Sequence, residues 1–500
     1  MSRLPILDRS SGSCGTAIPD SVEGGTSRIV PAGQFQGTVA LVTLGCAKNL
    51  VDSEVMLGAL VQRGFQPVSE AKDADLIVVN TCGFLQSAVE EGIDTILSLA
   101  ELKTHGRCRS LVVAGCMVER YRRQLEEELP EVDRFLSTDE IASVGLSGTT
   151  TEACFDEARR PYFLYDESMP RIRSTRRGST YVKVAEGCDR PCSFCIIPKL
   201  RGPFRSRQPA SIVTEVRELL ASGVREINLV AQDLTAYGSD FAGNRGIHSQ
   251  LSHLLASLDT CSEVDAYWLR LLYAYPIHTN EQLLNTIVDS THICRYLDIP
   301  LQHISGPVLK RMRRPLGSAG TRRLIETIAT RFPEIALRTT FIVGFPGERE
   351  EDVRELENFV REGYFTHVGV FTYSNEAEAR AAAFDEQVPE RERQIRRDRI
   401  MAAQQGVVAD RLAGQIGQEV TVLIEGTHPE SELLIQARSQ TQGPEEDGLT
   451  IINDLGDYES TESLEGRFAT VLLTERAGYD VLATLLRVEP EDGSVSGLGA

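Results

Sequence analysis

The chain has 500 residues, 41% hydrophobic and 25% charged, the balance of a soluble chain that buries large cores, and this excludes a collagen-like or wholly disordered protein. Its 52 Lys plus Arg against 72 Asp plus Glu give a formal net charge of −20, a poor start for wrapping nucleic acid, where basic patches carry most of the affinity. The 11 cysteines are too few for so long a chain to be a disulfide-stapled mini-protein. Residues 1–30 have no charged start followed by an apolar run, and no apolar run nears the ~20 residues of a membrane helix. A cytoplasmic protein of several domains, with reduced cysteines and no membrane partner, is expected.

Residues 1–35 are Gly- and Ser-rich without a period and read as a disordered extension. From Thr38 to Ser137, within a domain drawn at 36–150, an apolar run followed by a helical stretch occurs three times. The runs are Val39–Cys46, Leu76–Cys82 and Leu111–Cys116, and the alternation predicts an N-terminal parallel α/β sheet. Each run ends in a cysteine: Cys46, Cys82 and Cys116. The carboxyl ends of parallel strands share one edge, so three thiols distant in sequence are expected on one edge of one sheet.

A second domain is drawn at 174–403. Strands are expected at Tyr181–Gly187, Glu226–Gln232, Tyr267–Ala274, Arg295–Leu301, Ala336–Phe345 and His367–Tyr373, with helices between. Six βα units predict an incomplete barrel, since a full one has eight. Pro389–Gly417 reads as a charged helix leading out. The pattern then changes to short strands without helices, at Thr421–Gly426, Leu433–Arg438, Phe468–Glu475 and Val481–Val488, which predicts a small β-barrel over 404–488.

Cys188, Cys192 and Cys195 form C-x3-C-x2-C directly after the first barrel strand. Thiolates this close bind a metal or an iron–sulfur cluster. A zinc site normally has four Cys or His ligands, and here there are three thiols with no nearby His. A redox dithiol would leave Cys188 unexplained. A 4Fe–4S cluster on three cysteines keeps one iron open to another ligand. Barrel enzymes place active sites at the carboxyl ends of their strands, where this loop lies.

This spacing, with Phe194 before the last cysteine, resembles the signature of radical S-adenosylmethionine enzymes. With the upstream cysteine trio and the terminal β-module, the chain is similar to the methylthiotransferase family, whose small barrel is called TRAM. LGCAKNLVDSE (Leu44–Glu54), LVAQDLTAYG (Leu229–Gly238), WLRLLYAYP (Trp268–Pro276), YLDIPLQH (Tyr296–His303), RMRRP (Arg311–Pro315), TTFIVGFPGE (Thr339–Glu348) and VGVFTYS (Val368–Ser374) resemble the branch that modifies an aspartate of small-subunit ribosomal protein S-twelve. Ala47 stands where the family more often has Pro. The resemblance implies two 4Fe–4S clusters. One, on Cys46, Cys82 and Cys116, handles the sulfur. The other, on Cys188, Cys192 and Cys195, binds S-adenosylmethionine and yields a 5′-deoxyadenosyl radical that takes hydrogen from the aspartate β-carbon. An electron donor is implied as a partner. Gly344, Glu348 and Gln232 follow barrel strands and are candidates to line the cofactor pocket, with Asp233 beside Gln232.

The close relatives in this superfamily modify tRNA adenosines (isopentenyl- or threonylcarbamoyl-adenosine), and a TRAM module that grips RNA should be basic. Residues 404–500 carry 5 Arg, no Lys and 18 Asp plus Glu, a charge of −13. That favours a basic protein substrate, with no direct nucleic acid expected at this module, over a tRNA methylthiotransferase. An iron–sulfur electron carrier would need neither barrel nor β-module. Pro444–Glu465 reads as an acidic insertion. Cys14, Cys108, Cys154, Cys261 and Cys294 read as packing or surface residues. Arg201, Arg205 and Arg207 are candidates to face a carboxylate of cofactor or substrate.

Overall fold

The computed structural model describes residues 36–144, 163–241, 250–456, 458 and 464–490. The expected extension 1–35, Cys14, Cys154 and part of the Pro444–Glu465 insertion lie outside the described residues. The chain packs as two units. One runs through Ser174 and includes Ala185–Arg190 and Ile196–Arg207; the other holds Thr175–Val184, Pro191–Cys195 and the chain from Gln208 onward.

In the first unit, strands β1 (Gly37–Thr43), β2 (Phe65–Pro67), β3 (Leu76–Thr81), β4 (Ser110–Gly115) and β5 (Arg134–Leu136) form a parallel sheet in the order β2-β1-β3-β4-β5. The three strands expected from sequence are its centre. The edge strands β2 and β5, three residues each, are too short to show a pattern. Helices α1 (Ala47–Gln62), α2 (Gln86–Ala100) and α3 (Cys116–Glu128) cover both faces. Leu76 and Val78 pack with Met56, Leu57 and Leu60 of α1. Ile77 and Val79 pack with Val89 and Ile96 of α2 and Met117 and Leu125 of α3. Burial on both sides explains why β3 is apolar through most of its length rather than alternating. Strand order reverses between β1 and β3, which opens a crevice at their carboxyl ends.

In the second unit, β6 (Ser179–Lys183) leads into a short hairpin of the first unit, β7 (Ala185–Glu186) with β8 (Arg205–Ser206). The barrel continues with β9 (Glu226–Val230), β10 (Trp268–Leu271), β11 (Tyr296–Asp298), β12 (Ala336–Val343) and β13 (His367–Thr372). These are the six expected strands. They lie as two parallel three-stranded sheets, β10-β9-β6 and β11-β12-β13, with a bridge between Leu269 and Ile293 where the halves meet. Helix Glu390–Ala413 has 24 residues, hence a length of about 36 Å. It packs along the last strand. Its Arg393 lies against Gly344 after the carboxyl end of β12, and Arg411 donates to the Gly363 carbonyl (2.8 Å), ahead of the amino end of β13.

Strands β14 (Glu419–His428), β15 (Ser431–Ser439), β16 (Thr450–Asp454), β17 (Phe468–Ala477) and β18 (Asp480–Val488) close a small barrel around Val422, Ile424, Ile435, Ile452, Val471 and Ala483. Four were expected; β16, after the acidic stretch, was not.

The small barrel docks through buried polar groups on the amino end of the large one. Arg438 bonds Glu226 (2.5 Å) and Glu425 (2.6 Å), and Arg270 bonds the same Glu226 (2.9 Å). Tyr296 Oη donates to Asp447 (2.8 Å), Tyr181 Oη to Glu445 (3.2 Å), and Arg338 to both Glu446 and Asp447. His367 Nε2 bonds the Thr441 carbonyl at 2.7 Å. Glu425 and Asp447, with Glu445 and Glu446 at the exposed margin, thus answer arginines and tyrosines of this chain, so part of the −13 is paired within it. No helix among the described residues is long and apolar enough to cross a membrane.

Candidate functional site

Cys46, Cys82 and Cys116 follow β1, β3 and β4, three adjacent strands, on the carboxyl edge of the sheet. Cys46 is the N-cap of α1, Cys116 is the first residue of α3, and Cys82 precedes α2 by four positions. Helix starts carry unpaired N–H groups and positive dipole ends, which suit anionic sulfur. Gly115 holds φ +103°, and a Cβ there would meet Asn80 Oδ1 at 2.3 Å. Only glycine lets β4 turn into α3 at Cys116.

Asn49, the sixth residue of LGCAKNLVDSE, ties these loops together. Its Nδ2 donates to the carbonyls of Leu44 (2.9 Å) and Thr81 (3.1 Å), just ahead of Cys46 and Cys82. Its Oδ1 lies 3.9 Å from Cys116 Sγ. Asn80 Nδ2 donates to the Asn49 carbonyl (2.8 Å) and to Ser53 Oγ (2.9 Å). The periodicity of α1 marks Asn49 only as a polar position, so sequence reasoning passed over it.

Burial pushes the Cys116 thiol up to about 12; Arg201 opposes this, and the Cys82 and Cys46 thiols add to it. Burial also raises Cys82, and Cys46 raises it further. Both shifts carry a contribution from neighbouring thiols, which places Cys46 and Cys82 close enough to act on Cys116. Among the described residues, no three His, Cys, Asp or Glu side chains stand close enough to clasp a single metal ion. A four-iron cluster takes its thiolates on separate irons and accepts a wider set. All-thiolate donors at helix starts on one sheet edge fit such a cluster.

Arg201 meets carboxylates, but those of its own chain. Its Nη1 bonds Asp52 (2.6 Å) and Glu186 (3.3 Å), and its Nε donates to Cys116 Sγ at 3.1 Å. Arg205 donates to the Arg201 and Pro203 carbonyls, and Arg207 is buried with its guanidinium 4.2 Å from the Tyr165 ring centroid.

Cys188 follows β7; its N–H donates to the Gly202 carbonyl (3.1 Å), and its Sγ accepts from the Arg190 N–H (3.5 Å). In the second unit, fully buried Ser193 pins the stretch between Cys192 and Cys195. Its N–H donates to the Met312 carbonyl (3.2 Å), its Oγ to the Arg311 carbonyl (2.8 Å), and its own carbonyl accepts from Ala381 (2.9 Å). Phe194 packs against Val308, Met312, Phe345 and Tyr373. Arg314 donates to Cys192 Sγ (3.8 Å) and the Pro300 carbonyl (2.5 Å) and lies over the Tyr275 ring at 4.2 Å. RMRRP is thus a clamp on the cysteine loop, legible in sequence as a motif but not as a contact.

Gly344 turns the chain after β12 at φ +72°, and a Cβ there would strike Arg393 Cγ at 2.3 Å. Glu348 folds back under the same turn. It accepts from the Gly344 N–H (2.9 Å) and from Arg396 (2.9 Å), and its Oε2 lies 3.5 Å from His303 Nε2. His303 Nδ1 accepts from the Ser305 N–H (2.9 Å), which leaves Nε2 as the ring atom facing Glu348. Burial alone would raise the Glu348 carboxyl, but His303, the Gly344 N–H and Arg396 hold it below its usual range. Gln232 is half-buried after β9, and Asp233 beside it caps the next turn by accepting from the Ala236 N–H (3.1 Å). Tyr273 and Gln302, both with positive φ, stand just past the carboxyl ends of β10 and β11. Neither carries a sequence signal for that conformation. Cys108, Cys261 and Cys294 are buried.

Three family profiles match in sequence: Uncharacterized protein family UPF0004 over residues 38–137, Radical SAM superfamily over 182–360, and TRAM domain over 416–486. The chain is 45% identical to the ribosomal protein uS12 methylthiotransferase RimO of Solibacter usitatus, over 90% of this chain and 94% of that protein. The chain belongs to the RimO family. The RimO of Geotalea uraniireducens is 43% identical over 90% of this chain and 98% of its own length. Among solved structures, the radical S-adenosylmethionine methyltransferase TsrM of Kitasatospora setae aligns at TM-score 0.48 and 17% identity, covering 67% of this chain and 72% of that one. The motifs that carry the resemblance fall on the elements just described: LGCAKNLVDSE on α1 and its cysteine, RMRRP on the loop clamp and TTFIVGFPGE on β12 and its turn.

Proposed function

We propose that this chain is a radical S-adenosylmethionine methylthiotransferase that adds a methylthio group to the β-carbon of an aspartate in ribosomal protein uS12. Kinship along nine-tenths of the chain with proteins named for that activity supports the reading. The observation that carries it is the placement of three thiols at the switch point of the first sheet, in a chain that also bears a three-cysteine loop within its radical SAM region.

In this reading Cys46, Cys82 and Cys116 hold one 4Fe–4S cluster and Cys188, Cys192 and Cys195 another. When bound, the second cluster and S-adenosylmethionine supply a hydrogen-abstracting radical that no side chain provides. The chain's own work is positional. Asn49 registers the first three cysteine loops. Ser193 and Arg314 fix Cys192 and Cys195. Glu348 acts through Gly344, holding the turn that would border the cofactor, with Gln232 at the neighbouring strand end. An external one-electron donor completes the system. The domain boundaries near 36–150, 174–403 and 404–488 belong to the same reading.

Glu419, Glu430, Glu432, Asp454 and Glu475 of the small barrel are exposed, and their charge would attract a basic protein partner. Mass spectrometry of uS12 and of tRNA from a deletion strain tests the substrate. The methylthio mass should vanish from uS12 and stay on tRNA. Loss from tRNA with uS12 unaltered would overturn the reading.

A further inference from the structure

Every nitrogen of the Arg201 guanidinium is committed inside the first unit. Nε donates to Cys116 Sγ at 3.1 Å, Nη1 to Asp52 at 2.6 Å and Glu186 at 3.3 Å, and Nη2 to Asn49 Oδ1. Arg201 is 4% exposed, Asp52 1%, Glu186 3% and Asn49 1%, so water cannot replace any of these partners. An arginine buried only to balance charge needs carboxylates; this one is also aimed at a sulfur. Two carboxylates and an amide oxygen hold the planar fork so that the remaining N–H points at Cys116.

We infer that Arg201 is a positioning residue that hydrogen-bonds the Cys116 ligand sulfur and thereby raises the electron affinity of the cluster held by Cys46, Cys82 and Cys116. The inference rests on the two-cluster reading above. An N–H donated to a ligand sulfur withdraws electron density from it and favours the more negative, reduced cluster. Asp52 and Glu186 offset the arginine's full charge, so the directed N–H carries most of the effect. Arginine alone can serve three sides of such a pocket at once; lysine reaches the sulfur only by giving up another partner.

The test uses the full chain with Cys188→Ala, Cys192→Ala and Cys195→Ala, so that only the first cluster is read. Anaerobic reconstitution should give about four irons per chain. Dithionite titration followed by electron paramagnetic resonance then gives the midpoint potential. Arg201→Gln should lower the ratio of reduced to oxidised cluster about tenfold at the parent midpoint, about 59 mV for a one-electron couple. Arg201→Lys should shift it the same way by less. An unmoved midpoint in a variant that keeps its iron overturns the inference. If Arg201→Gln loses its iron, Arg201→Lys decides by the same criterion. Loss of iron from both, with circular dichroism unchanged, makes Arg201 a strut and overturns the tuning role. A triple-alanine parent that binds no iron overturns the two-cluster reading as well, whereas about four irons with an immobile midpoint overturns only the role of Arg201.

Discussion

Arg438 of the small barrel and Glu226 at the head of β9 meet at 2.5 Å, both side chains fully buried. Arg270, also fully buried, shares the same carboxylate at 2.9 Å. One carboxylate thus balances two guanidiniums, with Glu425 assisting Arg438 from its other side. The joint between the barrels is electrostatic as well as apolar, and it cannot lose Glu226 without leaving like charges facing each other.

Glu226→Gln should therefore destabilise the chain by about 3–5 kcal/mol, the range for a buried pair broken on one side. Arg438→Met should do less harm, because Arg270 still answers Glu226. The combination of the two should be more stable than Glu226→Gln alone, since both members of one pair are then neutral. Urea unfolding of the three variants checks the order. Equal losses from the two single changes would contradict the account.

The same joint sets a pH dependence. Burial lowers the His367 pKa; Asp447 and the Thr441 carbonyl oppose this, and Arg338 and Arg411 add to it. An unfolded histidine takes its proton near pH 6.5, so just below that pH the unfolded chain binds more protons and stability falls as pH drops. Glu226 acts in the same direction at lower pH. Burial would raise it, but Arg438 and Arg270 hold it far below the usual carboxylate range. Its contribution is full above the unfolded value near 4.5 and is lost as pH falls. Unfolding free energy should thus decline in two limbs, one below about pH 6.5 and one that begins below about pH 4.5 and runs on into strong acid, and His367→Gln should flatten only the upper one. Urea midpoints measured across that range provide the check.

Asn49→Ala removes two bonds to the loop carbonyls of Leu44 and Thr81. The buried carbonyls left behind should cost about 1–3 kcal/mol. Cys46 and Cys82 also lose their common tether, so iron retained after gel filtration should fall in the triple-alanine background. Full iron retention with only a stability loss would confine Asn49 to folding.

Much of this architecture was legible before the structure. The six barrel strands and the three central sheet strands were visible because their apolar runs are long and helices separate them. Strands β2, β5 and β16 were not: β2 and β5 are three-residue edge strands, and β16 follows the acidic stretch, so none stands out as an apolar run between helices. The cysteines were legible from spacing, and their company was not. Arg201 and Asn49 are 152 positions apart in sequence, and Ser193 and Arg311 are 118 apart. No local pattern pairs them. The acidic tail shows the limit of charge counting: Glu445, Glu446 and Asp447 add to the total like any others, yet face Tyr181, Tyr296 and Arg338.

The helix Glu390–Ala413 fixes a reach. The small barrel is anchored at the amino ends of the large barrel's strands, whereas Gly344 and the Cys192 loop belong to the opposite end. Between Arg393, beside Gly344, and Arg411, beside the amino end of β13, that helix measures the gap at about 27 Å. Extended chain covers about 3.3–3.6 Å per residue, so roughly eight residues bridge it. A polypeptide gripped at the small barrel would reach that end with its target on a protruding finger of about that length.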